Sequence, residues 1–186
     1  ETAAALTIQD PRERPAEVRG TADEMHARFT DDKSDFSSFL LLWQYINERQ
    51  AELSSSQLRK MCHREFINFL RIREWQDLFT QLREMGRTAN IRVSNGRDID
   101  ASGREVEIHK SLLSGLLSHV GAKEEREKTY GKAPRGPREY LGARGTKFAI
   151  FPGSGLFKQN PDWVLSAELV ETSRLWARTN ACLLYT

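Results

Sequence analysis

The sequence predicts an α+β protein in which a helical block is followed by a small antiparallel β-barrel. Apolar residues recur at helical spacing through most of the chain, whereas residues 145–178 change to alternating, β-rich patterns separated by strong turn residues. A charged stretch with prolines and glycines precedes this change. We therefore expect a helical-bundle domain over residues 1–120 and a barrel domain over residues 121–186.

Composition limits the classes of protein to consider. The chain has 186 residues, of which 39 % are apolar and 29 % are charged, as is typical of a globular protein. Its net charge is only +2, so a nucleic-acid surface has to come from clustered basic residues. The longest apolar run, Phe39–Trp43, is far shorter than the roughly 20 residues of a membrane span. Two cysteines and no signal-like opening predict a cytoplasmic protein without disulfides.

Punctuating residues separate the predicted helices. Pro15 opens the second helix, the Ser54–Ser56 cluster supplies an N-cap, and Gly86 is a natural C-terminal stop. We expect helices at residues 2–8, 16–29, 36–46, 54–70, 75–85 and 104–120. Residues 87–103 carry turn chemistry and few apolar residues, which predicts an exposed loop.

The β-region begins with the alternating run Lys147–Phe151. Pro152–Gly155 then predicts a turn, and a second β-rich run starts at Trp163. Residues 123–145 are expected to form a basic excursion between elements. The last residues, 181–186, do not continue the pattern, so we expect an atypical tail of foreign origin and a barrel that lacks its last strands.

Aromatic and basic residues in the β-region suggest single-stranded nucleic acid. Small barrels bind it with aromatic stacking platforms and with lysines or arginines along the backbone track. The aromatic candidates are Phe148, Phe151, Phe157 and Trp163. The basic candidates are Arg144, Lys147, Lys158, Arg174 and Arg178. Some of these aromatic residues are needed for the barrel core. The glycines of Gly153–Gly155 would let the backbone approach a ligand closely, but this stretch is equally compatible with a plain hairpin turn.

The middle helices carry a second basic face, with Arg59, Lys60, Arg64, Arg71 and Arg73. Such a face can follow a phosphate backbone. The alternative is a solvated face whose arginines pair with Glu65, Glu74 and Asp77 at helical spacing.

Enzyme chemistry finds little support in the residues. The four histidines, His26, His63, His109 and His119, are scattered, and the chain has no His-x-x-x-His or Cys-x-x-Cys pair that would place two ligands on one metal. No serine lies in a Gly-x-Ser-x-Gly elbow. No Gly-x-x-x-x-Gly-Lys-Ser/Thr loop occurs, so the segment has no P-loop cradle for nucleotide phosphates. We expect no catalytic residues, no metal and no cofactor in this segment.

Several runs together resemble one family. They are ALTIQDPRERP, ADEMHARFTDDKSDFSSFLLLW, FINFLRIREWQDLFTQLRE, FPGSGLF and PDWVLSAELVETSRLWAR. In this order they resemble the C-terminal half of bacterial HrpA-type DEAH-box ATP-dependent RNA helicases. The resemblance spans Ala5 to about Arg178, nearly the whole chain, which indicates a fragment of such a protein.

The resemblance implies a ratchet-like helical bundle followed by a partial OB-fold. In that family two RecA-like motor domains precede these parts and use ATP and Mg²⁺ to move 3′ to 5′ along RNA. The motor domains would be joined in cis and would make the parent chain the hydrolase. The implied partner is single-stranded RNA, or a structured RNA or ribonucleoprotein, at a channel closed by the bundle and the barrel.

The residues expected to face RNA are Arg71, Arg73, Arg144, Lys147, Ser154, Lys158 and Arg174. The expected function is therefore an RNA-channel accessory segment without ATPase activity of its own. The alternative is a protein-interaction module that makes no direct contact with nucleic acid.

Overall fold

The computed structural model describes residues 1–91, 105–125 and 136–183. The chain forms two compact units, one of Glu1–Thr30 with Ser38–Asp100 and one of Asp31–Ser37 with Ala101–Thr186. The predicted fold class, helices followed by a small barrel, is confirmed. The division differs from the expected border at residue 120, because the helix before the barrel and the short Asp31–Ser37 segment both belong to the second unit.

The described residues form six α-helices, together with shorter 3-10 turns. They are α1 (Thr2–Ala5), α2 (Arg19–His26), α3 (Asp35–Glu52), α4 (Ser55–Arg64), α5 (Phe69–Thr88) and α6 (Glu105–Gly115). The predicted cap at Ser54 is confirmed as a reciprocal capping box with Gln57. Asn68 caps α5 by accepting a hydrogen bond from the Arg71 amide at 3.1 Å. Gly86 does not end α5, which continues to Thr88.

The first unit has an aromatic core. The indole of Trp75 is completely buried and lies 4.8 Å from the Trp43 ring and 5.9 Å from the Phe39 ring, centroid to centroid. Its Nε1 donates to the Glu1 carbonyl at 3.0 Å, so the buried polar atom of this large side chain has a partner. The helical spacing of these residues in the sequence therefore reflects core packing.

The second unit contains a closed barrel of five strands in the order β1-β2-β3-β5-β4. The strands are β1 (Val120–Lys123), β2 (Glu139–Gly142), β3 (Lys147–Ile150), β4 (Trp163–Glu171) and β5 (Leu175–Cys182). Four pairings are antiparallel, and β3 pairs with β5 in parallel. Five strands closed in this way are the arrangement of an OB-fold.

The barrel is more complete than the sequence predicted. Ala181 and Cys182 lie in β5, where they pair with Leu165 and Val164, so the expectation of missing last strands is wrong. Residues 139–142, expected to be part of an irregular excursion, form β2, and residues 120–123 form β1 rather than the end of a helix. Each of these two strands contains a glycine, a residue that sequence patterns associate with turns and helix ends. The rest of the predicted excursion at 126–135, the tail at 184–186 and most of the 87–103 loop lie outside the described residues.

The barrel interior depends on two close approaches of backbone to an aromatic ring. The Phe148 ring is buried and stacks on Tyr140 at 6.0 Å. A Cβ at Gly142 would lie 2.9 Å from this ring, and one at Gly121 would overlap it. Glycine at both positions therefore lets β1 and β2 close over Phe148.

The Asp31–Ser37 segment is attached to the barrel. Ser34 forms an antiparallel bridge with Ala181, and the Cys182 amide donates to the Lys33 carbonyl at 2.9 Å. The Ser34 hydroxyl lies 2.7 Å from Nε2 of the buried His109 on α6. These contacts hold the segment in place, and the segment brings the Asp35 carboxylate to its barrel partners.

Candidate nucleic-acid interface

Three of the predicted basic residues lie on or next to the barrel elements that OB-folds use for oligonucleotides, namely the face of strands β2 and β3 and the β4–β5 loop. Arg144 lies in the turn between β2 and β3, Lys147 opens β3, and Arg174 ends the turn between β4 and β5. All three side chains are exposed. The barrel therefore presents Lys147 and Arg174 on elements where an OB-fold binds its ligand, and Arg144 in the turn that joins the two strands of the binding face.

Arg144 has a constrained backbone. Its φ of 58° and that of Gly145 at 74° are both left-handed, a conformation that non-glycine residues rarely adopt. The Gly142 amide donates to the Thr146 carbonyl at 2.8 Å and closes the turn. The fixed turn holds the base of the Arg144 side chain in one place on the surface.

Lys147 has an internal partner. Its Nζ lies 2.7 Å from Oε1 of Glu124. The hydrogen bond and the charge of Glu124 raise the pKa of Lys147 above its ordinary value, so the side chain stays positive near neutral pH. A phosphate at this position has to compete with a carboxylate for the lysine.

The Ser154 hydroxyl is engaged in hydrogen bonds within the barrel unit. Its Oγ donates to Oδ2 of Asp35 at 2.6 Å and accepts from the Leu156 amide at 3.2 Å. Asp35, nearly buried, also accepts from the amides of Gly155 and Asn180 at 2.9 and 2.8 Å. One carboxylate therefore ties the Pro152–Gly155 turn to strand β5. Lys158, close behind this turn, is exposed.

Four residues on one face of the barrel form an arginine–aromatic ladder: Arg174, Trp176, Phe151 and Arg178. The Arg174 guanidinium lies over the Trp176 ring at 5.5 Å, and the Arg178 guanidinium lies over the Phe151 ring at 4.9 Å. The two rings meet edge to face at 6.0 Å. Sequence reasoning named the other three residues but missed Trp176. Its position two residues from each arginine on a β-strand was the signal that could have found it.

The other aromatic candidates divide between core and surface. Phe148 is buried in the barrel core, and Phe157 packs partly buried against that core. Trp163 is 43 % exposed and pairs with Ala122 of β1. Phe151 is the only one of the four predicted aromatic residues that the structure places in the ladder.

The two basic residues predicted on the helical unit differ from each other. Nη1 of Arg71 donates to the Asp10 carbonyl at 2.9 Å, so this guanidinium joins α5 to the N-terminal segment of its own unit. Arg73 is exposed on the same helix. A phosphate contact is therefore easier to reconcile with Arg73 than with Arg71.

The basic face of α4 is not a set of internal ion pairs. Arg59, Lys60 and His63 have no carboxylate oxygen within 4.0 Å among the described residues. With Ser55, Ser56 and Phe69 they line an open concavity of about 650 Å³. Of the pairings that the solvated-face alternative required, Arg64 with Glu65 is present at 3.9 Å.

Other kinds of site find no support in the part of the chain that the structure describes. No three His, Cys, Asp or Glu side chains there lie close enough together to hold a metal ion. Burial raises the pKa of the Cys62 thiol to about 11, which makes it a poor nucleophile at neutral pH. None of the described helices has the length and apolar character to cross a bilayer.

Comparison with known families supports the barrel assignment. A family described as the oligonucleotide/oligosaccharide-binding (OB)-fold matches residues 108–182. The match begins within α6 and ends at the last residue of β5. It therefore covers the five strands and most of the helix that precedes them.

The whole chain resembles known helicases. It is 49 % identical to the ATP-dependent RNA helicase HrpA homolog of Haemophilus influenzae over 94 % of its length, and 50 % identical to the ATP-dependent RNA helicase HrpA of Escherichia coli over 95 %. It is 27 % identical over 95 % of its length to the pre-mRNA-splicing factor ATP-dependent RNA helicase prp22 of Schizosaccharomyces pombe. The chain spans only 12 % of each HrpA protein and 13 % of prp22. The resemblance to HrpA-type helicases is thereby confirmed.

Proposed function

We propose that this chain, which matches a segment of HrpA-type RNA helicases over nearly its whole length, adds an RNA-binding surface to the motor domains of such a protein. The observation that carries the proposal is the closed OB-type barrel with exposed basic residues on its β2–β3 turn, its third strand and its β4–β5 turn. The third strand and the β4–β5 turn are elements through which OB-folds bind oligonucleotides, and the β2–β3 turn joins the two strands of their binding face.

The proposed partner is single-stranded RNA. Arg144 and Arg174 are exposed, and neither lies within 4.0 Å of a carboxylate oxygen among the described residues. Cations without an internal carboxylate can neutralise phosphates and release their counterions. Hydrolysis of ATP with Mg²⁺ is assigned by this proposal to motor domains joined in cis, since this sequence contains no P-loop.

Charge reversal tests the proposal. We expect the chain to bind single-stranded RNA in a salt-dependent way, and the double variant Arg144→Glu with Arg174→Glu to bind about tenfold more weakly at low salt. Fluorescence anisotropy with a labelled oligonucleotide at two salt concentrations measures both effects. The matched control is Arg19→Glu with Lys110→Glu, which changes the net charge equally at exposed positions outside the barrel strands.

Two results would contradict the proposal. The first is binding that is undetectable or independent of salt. The second is an equal loss in the test and control variants, which would show that only net charge matters. Tight binding of an acidic protein partner with no RNA binding would favour the protein-interaction alternative.

A further inference from the structure

The arginine–aromatic ladder is built around the alternation of strand β5. Trp176 and Arg178 are two residues apart on β5, so their side chains leave it on the face opposite the buried Ala177. Arg174 immediately precedes the strand, and its guanidinium lies over Trp176. The parallel pairing of β3 with β5 brings Phe151 beside them, since its amide donates to the Ala177 carbonyl at 3.0 Å. The backbone of two strands thus sets the spacing of all four flat side chains.

The two arginines contact rings and not carboxylates. Arg178 has Glu168 as its direct cross-strand neighbour, yet its guanidinium lies over Phe151. Among the described residues, no carboxylate oxygen lies within 4.0 Å of either Arg174 or Arg178. Both arginines are exposed, while Trp176 and Phe151 are half-buried. The outer surface of the ladder therefore consists of positively charged planar groups supported from below by fixed rings.

We propose that the ladder is a stacking site for the unpaired bases of single-stranded RNA, with its two guanidinium groups also neutralising the adjoining phosphates. This inference rests on the proposed function and names how the barrel holds its ligand. Bases stack on aromatic side chains and on guanidinium planes alike. An acidic peptide would bind through the two positive charges alone and would gain nothing from planar groups held edge to face. The chemistry of the ladder therefore favours a nucleic acid over a protein.

An oligonucleotide that lacks its central bases isolates the contribution of base stacking to affinity. A single strand of about ten nucleotides, within the range that one OB-fold covers, is compared with a strand of equal length whose central residues are abasic. Both strands carry the same phosphates, so contacts to the backbone are unchanged. We expect the 186-residue chain to bind the abasic strand about tenfold more weakly, the loss expected for about one stacked base.

Variants of the ladder locate the effect. Trp176→Leu should lower affinity for the base-bearing strand about tenfold and remove most of its advantage over the abasic strand. Trp176→Phe should restore much of the advantage, because it keeps a ring. Arg178→Lys keeps the charge but loses the planar group, so it should also weaken discrimination. Trp163→Leu, at an exposed indole outside the ladder, is the matched control and should bind both strands as the parent does.

The outcomes separate the two proposals. If the chain binds base-bearing and abasic strands equally and with the usual salt dependence, the ladder is not a stacking site while the proposed function stands. If Trp163→Leu removes the discrimination and Trp176→Leu does not, the stacking site lies elsewhere on the barrel and the inference is wrong. If neither strand binds at all, both proposals fail. Thermal unfolding of each variant verifies that it is folded, and Arg178→Lys supplies the test should Trp176→Leu unfold.

Discussion

Each unit holds a nearly buried carboxylate, Asp35 in the barrel unit and Glu65 in the helical unit, and the partners of the two differ. In the barrel unit, Asp35 accepts from the amides of Gly155 and Asn180 and from a serine hydroxyl. In the helical unit, Glu65 accepts from the Tyr45 hydroxyl at 2.9 Å and forms an ion pair with Arg28. The helical unit therefore uses an arginine to hold its carboxylate, whereas the barrel uses backbone and hydroxyl donors.

This difference affects which cations face outward. Arg28 lies over the rings of Phe29 and Tyr45 at 4.6 and 4.4 Å and at the same time pairs with Glu65. Arg174 and Arg178 also lie over rings, but without a carboxylate within 4.0 Å among the described residues. Similar cation–π contacts thus serve internal packing in one unit and leave a charged surface in the other. A basic residue can be assigned to a binding surface only when its internal partners are known.

The largest effect is expected from Asp35→Ala. The substitution leaves two amides and a hydroxyl without their acceptor, which should lower the free energy of unfolding by about 3 kcal/mol. Urea denaturation followed by far-UV circular dichroism measures the loss. Asp32→Ala is the control, because Asp32 is exposed and its contact with Gln159 is long at 3.3 Å, so its effect should stay within about 0.5 kcal/mol. Equal effects of the two variants would show that the Asp35 contacts do not stabilise the barrel.

A smaller effect is expected from Glu65→Gln in the helical unit. Glutamine keeps an acceptor for the Tyr45 hydroxyl but removes the charge that pairs with Arg28. Because the Arg28 side chain is 44 % exposed, solvent screens the pair, and the loss should be about 1 kcal/mol. The same urea denaturation measures it, with Glu48→Gln on the exposed face of α3 as the control. A loss as large as that of Asp35→Ala would show that solvent does not screen this ion pair.

The sequence predicted the parts of the fold that depend on repeated local patterns. The spacing of Phe39, Trp43 and Ile46 predicted α3, since an amphipathic stripe repeats several times in a long helix. Strands β1 and β2 were missed because each contains a glycine and adjoins the charged stretch with prolines whose local pattern favours a loop. The role of Asp35 was also missed, since a buried carboxylate 119 residues away in sequence from Ser154 leaves no local pattern. Long-range pairing cannot be recognised from one sequence without its fold.

The candidate interface was predicted only in part, again because contacts between elements far apart in sequence leave no local pattern. Clustering of Arg144, Lys147 and Arg174 near turn residues indicated where the barrel is basic, because turns and strand ends are exposed. The internal partners of Lys147 and Ser154, Glu124 and Asp35, come from other elements. Whether a basic or hydroxyl side chain is already engaged depends on packing that the sequence does not display.

The smallest expected effect is a fall in stability on acidification, present in both units. Burial lowers the pKa of His26 in the helical unit and of His109 in the barrel unit. For His26 a hydrogen bond to the Glu65 carbonyl works against this change, and for His109 the nearby Asp31 does so. The unfolded chain therefore takes up protons at a higher pH than the folded chain. Stability contributed by these histidines is complete above their ordinary pKa of about 6.5, and it is lost as the pH falls below that value.

Single substitutions separate the contributions of the two units. Urea denaturation at a pH of about 7.5 and of about 5.5, on either side of the ordinary histidine pKa, should give a lower free energy of unfolding at the lower pH. His109→Gln and His26→Gln should each reduce this difference, because glutamine does not titrate. His63→Gln, at an exposed position on α4, is the control and should leave the difference unchanged. If His63→Gln has as much effect as His109→Gln, burial is not the cause of the pH dependence, because only one of these imidazoles is buried.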